Sequence, residues 1–129
     1  MGGRGTFSVG KDVAYTYEKV DEIAGVKVLE PMDKRKSLKL PDESHSRNAR
    51  YIVLDKTGVF HQYREYDENH KVVLEIGYHL EPKLGKGKQL HIHIYHTPGV
   101  ENHAKAEVRH LNDAEKAKYR KFFRGLTVI

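Results

Sequence analysis

The chain has 129 residues, the size of one ordinary domain, and its 23 Lys+Arg against 18 Asp+Glu leave a formal net charge of +5. It contains no cysteine, which excludes a disulfide scaffold and a thiolate metal site. A moderately basic domain is compatible with a polyanionic partner. No apolar run approaches the length that crosses a bilayer, so we expect no membrane partner. The absence of cysteine favours an intracellular location, and we expect the cytoplasm.

The N-terminal half contains few clear structural signals. Residues 1–10 are rich in glycine and are predicted to be a flexible N-terminus, while residues 11–129 are predicted to form a single α+β domain. The segment from Val26 to Leu29 is typical of a short strand that ends before Pro31. Residues 31–50 are predicted to be a polar loop, whose charge run we interpret as a solvated surface.

From residue 50 onward the sequence predicts a meander of about four antiparallel strands. The strands are expected at roughly 51–54, 59–66, 71–79 and 89–96, where apolar and β-branched residues recur. Asp55 to Gly58 and Asp67 to His70 have the composition of tight turns. Thr97-Pro98-Gly99 ends the last strand.

A C-terminal helix follows these strands. Asn112 stands three residues before Glu115, which is a capping-box spacing, and Gly125 suits the C-terminal cap. Ala114, Ala117 and Phe122 begin an apolar stripe that would pack on the sheet. The predicted fold is therefore an antiparallel sheet of about four strands with this helix packed on one face.

The segment from His91 to His96 contains three histidines in six residues, alternating with Ile92 and Ile94. Successive side chains of a strand point to opposite faces, so His91, His93 and Tyr95 are expected to share one face. If the strand at 71–79 pairs with it as a hairpin, Glu75 and His79 lie beside these side chains. The neighbouring strand 59–66 adds either Arg64 or His61 to the same face, depending on its register.

One chemistry that suits this cluster is RNA phosphodiester cleavage without a metal or other cofactor. His91 and His93 would be the general acid and base, with Glu75 as an alternative base or as the carboxylate that orients an imidazole. Arg64 would stabilise the charge of the phosphorane. Tyr95 and His79 would position the substrate. The lysines of the intervening loop would bind the RNA backbone: Lys83, Lys86 and Lys88.

A second chemistry is metal binding, because two histidines at positions i and i+2 of a strand are a known ligand spacing. His79 or Glu75 would complete a three-ligand set. A third interpretation is that His91 and His93 are solvent-facing polar residues without a chemical role. His45, His70, His103 and His110 lie in polar segments and are expected at the surface.

Several short segments resemble a known group of proteins. They are Met1-Gly2-Gly3-Arg4-Gly5, the segment from Tyr66 to Lys71, Glu75-Ile76, His79 and His91-Ile92-His93. Together they resemble small proteins encoded beside head-morphogenesis genes in phages of Gram-positive bacteria. Those proteins are grouped with the barnase–EndoU–colicin–RelE-like nucleases.

The resemblance covers about residues 58–96 and the first five residues. It implies a helical part packed on a four-stranded antiparallel sheet, metal-independent RNA cleavage and a site formed by His79, His91 and His93. The implied partners are RNA or a phage head or portal-associated protein, in the cytoplasm of a bacterial host cell or with the virion. A non-catalytic phage accessory or interaction protein is the alternative.

Overall fold

The computed structural model describes residues 6–8, 11–12, 17–33, 35 and 39–128. The strands within these residues are β1 (Thr6–Ser8), β2 (Lys11–Asp12), β3 (Tyr17–Ile23), β4 (Val26–Pro31), β5 (Glu43–Ser44), β6 (Arg50–Leu54), β7 (Phe60–Tyr66), β8 (Val72–Leu80), β9 (Lys88–Ile94) and β10 (Glu107–His110). A 3-10 helix spans Val100–Lys105 between β9 and β10. Helix α1 (Asp113–Tyr119) is followed by a 3-10 turn at Arg120–Phe122.

Most strands belong to one seven-stranded sheet with the order β10-β9-β8-β7-β6-β4-β3. All its neighbours are antiparallel except β4 and β6, which run parallel. The predicted α+β class is confirmed, but the expected number of about four strands is wrong. Two of the strands that the sequence does not predict, β3 and β10, lie at the edges of the sheet. Their side chains are half-exposed or charged, so they lack the alternation of apolar and polar residues that indicates a strand.

The first residues add a small second sheet. β1 pairs with β2 and with β5, which gives the order β2-β1-β5. The flexible N-terminus that the sequence predicts at 1–10 thus contains a strand at Thr6–Ser8, and its other residues lie outside the described part of the chain.

The C-terminal helix covers one face of the large sheet, as the sequence predicts. A row of apolar side chains crosses the strands on this face: Val28, Ile52, Tyr63, Ile76 and Ile92. The Phe122 ring stacks on Tyr63 with 4.9 Å between centroids. The helix begins where Asn112 Oδ1 accepts from the Glu115 N–H at 2.8 Å and the Glu115 carboxylate accepts from the Asn112 N–H at 2.9 Å, so the predicted capping box is present.

The opposite face of the sheet is covered by the segment 39–44. Leu40 is 0 % exposed and packs there with Tyr51, Tyr66 and Tyr95. The solvated loop predicted over residues 31–50 is therefore wrong for Leu40, Pro41, Glu43 and Ser44, which are buried. Lys39 and Asp42, on either side of Leu40 and Pro41, remain exposed, so the charges that suggested a loop and the buried residues occur in the same short stretch. We call the face that the segment 39–44 covers, which includes Tyr51, Tyr66 and Tyr95, the strap face of the sheet.

One irregularity, in the pairing of β7 with β8, changes which side chains share a face. The pairing of β7 with β8 shifts between Glu65 and Tyr66, so Val72 lies opposite Tyr66 and packs on the strap face rather than with Leu74 and Ile76.

No helix in the described ranges is long and apolar enough to cross a membrane.

Candidate functional site

Two short rows of polar positions cross the strap face at the centre of the sheet. In one row Arg64 of β7 lies opposite Glu75 of β8, which lies opposite His93 of β9. In the next row Gln62, Gly77 and His91 occupy the corresponding positions. The hairpin register predicted from the sequence therefore places Glu75 beside the two histidines, and β7 contributes Arg64 to the same cluster.

Arg64 and Glu75 form a buried ion pair, with Nε 2.9 Å from Oε1. Burial acts to raise the pKa of Glu75, but the charge of the adjacent Arg64 guanidinium, together with hydrogen bonds from Arg64 and Gln62, brings the pKa below its usual range. Arg64 Nη1 also donates to the carbonyl oxygens of Leu40 at 3.1 Å and Pro41 at 3.0 Å. This arginine therefore holds Glu75 ionised and ties the 39–44 segment to the sheet.

His91 is fully buried and its tautomer is fixed by a backbone contact. Its Nδ1 lies 2.7 Å from the carbonyl oxygen of Gln89. A carbonyl oxygen only accepts, so Nδ1 bears the proton and Nε2 keeps its lone pair. Nε2 is buried and has no hydrogen-bond partner among the residues that the structure describes. Burial lowers the pKa of His91, which keeps the ring neutral.

His93 is 1 % exposed and lies directly opposite Glu75. Within the described part of the chain neither of its ring nitrogens has a hydrogen-bond partner. Burial lowers the pKa of His93 to about 4, although Glu75 acts in the opposite direction. The ring is therefore neutral at pH 7, with a lone pair available on one nitrogen.

Glu81 completes this group, although sequence reasoning did not select it. One donor atom each from Glu81, His91 and His93 lies within 4.8 Å of the other two. Glu81 follows the last residue of β8, and continuing the alternation Glu75, Gly77, His79 by one more step would have identified it. The predicted strand ends at residue 79, before the loop that contains Pro82, so its alternation does not reach Glu81.

Three further histidines lie at the rim. The His79 ring meets His91 edge-on at 4.6 Å between centroids, and His61 lies 5.8 Å from His79. His103 lies 4.8 Å from His93. His103 is exposed, as predicted, but the 3-10 helix at Val100–Lys105 brings its ring to the cluster, a position that no strand pattern could indicate.

The remaining predicted site residues are not part of the group formed by Glu81, His91 and His93. Tyr95 is buried among the tyrosines of the strap face, and burial, together with Glu75, raises the pKa of its hydroxyl, which stays protonated at neutral pH. Lys83, Lys86 and Lys88 are exposed. Lys88 Nζ lies 5.8 Å from the centre of the Tyr78 ring, and Tyr78 packs towards the helix-covered face, so this lysine points away from the histidines.

The arrangement brings neutral imidazoles and a carboxylate together, with few hydrogen bonds to satisfy them. A buried polar group without a partner costs about 1–3 kcal/mol, so each such group calls for a partner or a role, such as an ordered water, a bound ion or catalysis. No protein-family model, curated protein or solved structure matches the chain.

Proposed function

We propose that the protein binds a zinc ion through Glu81, His91 and His93. The observation that supports this most directly is the state of the two histidines, which are buried, neutral and provided with a free lone pair on at least one nitrogen. Zinc takes neutral imidazole and carboxylate ligands. Because the rings are already unprotonated at neutral pH, zinc displaces no proton from them.

The spacing of the donor atoms suits a small cation. Zinc binds nitrogen and carboxylate oxygen at about 2.0–2.2 Å, which places tetrahedral ligands about 3.3 Å apart. The donor atoms of Glu81, His91 and His93 lie within 4.8 Å of one another, so shifts of about 1 Å in the side chains bring them to ligand distance. The contact of His91 Nδ1 with the Gln89 carbonyl is the kind of outer contact that orients a ligating histidine.

The choice of zinc over magnesium or calcium follows from the ligands. Magnesium and calcium prefer sites made of oxygen atoms, whereas two imidazoles with one carboxylate are a known ligand set of catalytic zinc. The three side chains leave the fourth position of a tetrahedral site to another ligand.

Isothermal titration calorimetry of tag-free, EDTA-treated protein with zinc chloride tests the proposal. We expect one zinc ion per chain and a loss of this binding in His91→Ala and Glu81→Gln. His96→Ala is the matched control, because His96 is exposed and contacts Glu107 at the sheet edge. Glu81 is only partly buried, so Glu81→Gln should remain folded.

The proposal fails if the folded parent protein binds no zinc. It also fails if Glu81→Gln and His91→Ala bind zinc as tightly as His96→Ala does. Binding of several weak zinc ions that every single variant retains would indicate surface histidines instead.

Metal-independent RNA cleavage is the second candidate, and the position of Glu75 opposite His93 on the adjacent strand supports it. A carboxylate opposite an imidazole is a common arrangement for a general base. The lowered pKa values of His91 and His93 leave the general acid without a proton at neutral pH, however, and Arg64 is engaged with Glu75 and two backbone carbonyls. The geometry therefore supports zinc binding better.

Incubation with labelled RNA in EDTA separates the two candidates. Cleavage that His93→Ala abolishes and that zinc does not stimulate would favour the acid–base site over the metal site. If the protein neither cleaves RNA nor binds zinc, the remaining alternative is a non-enzymatic interaction protein, including a phage accessory protein.

A further inference from the structure

We infer that His79 supplies the fourth ligand of this site through Nε2, and that Gly77 provides the space its ring needs. The inference rests on the proposed zinc site. His79 is not among the three side chains whose donor atoms lie within 4.8 Å of one another, but its ring already contacts that of His91.

Gly77 is the first observation that points to His79. It lies in the interior of β8, with neighbouring strands on both sides, where glycine is unfavourable because it adds no packing and costs conformational entropy. Its φ is outside the left-handed region, so the backbone does not require glycine there. The requirement must come from the surroundings of the missing side chain.

Those surroundings are the two imidazoles. A Cβ built on Gly77 would lie 2.6 Å from His79 Nε2 and 2.9 Å from His79 Cδ2, closer than such atoms approach in proteins. The same point lies 3.3 Å from His91 Cε1. The His79 ring therefore folds back over Gly77, with Nε2 towards the strand and beside the His91 ring.

The tautomer of His79 is the second observation. Its Nδ1 lies 3.1 Å from the carbonyl oxygen of Leu80, which only accepts. Nδ1 is therefore the nitrogen that donates to this oxygen, which leaves Nε2 as the nitrogen that can bind a metal. His91 has the same arrangement, with Nδ1 on a backbone carbonyl and Nε2 free, so both rings present the same nitrogen.

Three histidines and one glutamate make a complete tetrahedral set. A zinc site with four protein ligands is closed and has a structural role, whereas one with three retains a position for water or substrate. With His79 bound, the ion would fasten the end of β8 and the start of the following loop to β9.

A double-mutant cycle measures the role of His79 and Gly77. We expect His79→Ala to weaken zinc binding by at least about tenfold to a hundredfold, the loss that removing only an outer contact of a ligand causes. Gly77→Ala should weaken it in the same range when His79 is present, because the added methyl group displaces the ring. In the His79→Ala background Gly77→Ala should change the affinity by less than about twofold, since the two changes act through one ligand.

The cobalt(II) form gives an independent readout. Its visible absorption reports the number and type of ligands, so replacing His79 by water should change the spectrum of His79→Ala but not that of His96→Ala. Circular dichroism in EDTA checks that all four chains of the cycle are folded.

The outcomes separate this inference from the proposal on which it rests. If the parent protein binds no zinc, the zinc site itself is refuted. If the parent binds zinc and His79→Ala binds it equally well with the same cobalt spectrum, only the role of His79 is refuted. If Gly77→Ala weakens binding equally in both backgrounds, the methyl group acts on His91, and Gly77 does not serve His79.

Discussion

Arg64 Nε lies 2.9 Å from Glu75 Oε1 across strands β7 and β8, with both side chains less than a tenth exposed. Each charge is satisfied by the other, and Arg64 has additional carbonyl acceptors in the covering segment. In a buried ion pair, removing one partner destabilises the protein more than replacing both partners by apolar residues, because it leaves an unpaired charge in the interior.

Removing one partner should therefore cost more than removing both. Arg64→Met should lower the free energy of unfolding by about 3–5 kcal/mol, since it leaves the Glu75 carboxylate buried without its cation. The double variant Arg64→Met/Glu75→Leu should recover most of this loss. Urea unfolding of the parent, both single variants and the double variant measures the coupling, and additive losses would contradict the prediction.

Alternation along the chain was sufficient to predict the central part of the site. It placed His91 and His93 on one face of β9 and Glu75 on the adjoining strand, because a period of two assigns faces wherever a strand is regular. It left the contribution of β7 open between Arg64 and His61. The structure places Arg64 in the cluster through register and brings His61 to its rim, beside His79. A register shift opposite Val53 and Leu54 interrupts the alternation at this end of β7.

Other parts of the site and fold depend on long-range packing, which no local pattern contains. Leu40 lies in a short, mostly polar stretch beside Lys39, and the sheet beneath it explains its burial. Glu81 follows the end of a strand, and His103 comes from a separate helix. β3 was missed because an edge strand with exposed Lys19, Val20 and Asp21 has the composition of a loop.

The packing of the C-terminal helix on the sheet should be a large contribution to stability. Phe122 is 1 % exposed and its ring stacks on Tyr63 at the centre of the core. Phe122→Ala should cost about 3–5 kcal/mol, from lost burial and from the cavity that remains. Leu80→Ala, at a position that is 68 % exposed, is the matched control and should change stability by less than about 0.5 kcal/mol. Equal effects of the two variants in urea unfolding would contradict the assigned packing.

The turn between β6 and β7 should make the free energy of unfolding decrease at acidic pH. Asp55 Oδ1 accepts from the Thr57 N–H at 2.8 Å, the Thr57 hydroxyl at 2.6 Å and the Val59 N–H at 3.0 Å. The Thr57 hydroxyl is the main reason that the pKa of Asp55 lies below its usual range. A lowered carboxyl pKa stabilises the folded state above the ordinary value near 3.8, and this contribution is lost as the pH falls through the lower folded value.

Asp55→Ala should accordingly destabilise the protein by about 1 kcal/mol at pH 7. The loss is modest because the turn is partly exposed, which lowers the contribution of its hydrogen bonds to stability. The difference between parent and variant should shrink at pH 3, where the parent begins to lose the ionised form. Asp55→Asn retains an acceptor oxygen and is the control for the charge. A difference that is equally large at pH 7 and pH 3 would show that ionisation of Asp55 does not stabilise the turn.

Zinc should raise the melting temperature of the protein if the buried histidines are its ligands. A ligand that binds only the folded state stabilises it by about 2.7 kcal/mol at a hundredfold excess over Kd. For a domain of this size that is about 10 °C in Tm. The same excess should leave the Tm of His91→Ala nearly unchanged, while His96→Ala should respond like the parent. Differential scanning calorimetry with and without zinc, and again after EDTA is added, measures the shift and its reversal. A parent protein whose Tm does not respond, or a His91→Ala variant that gains as much as the parent, would show that this cluster does not bind the metal.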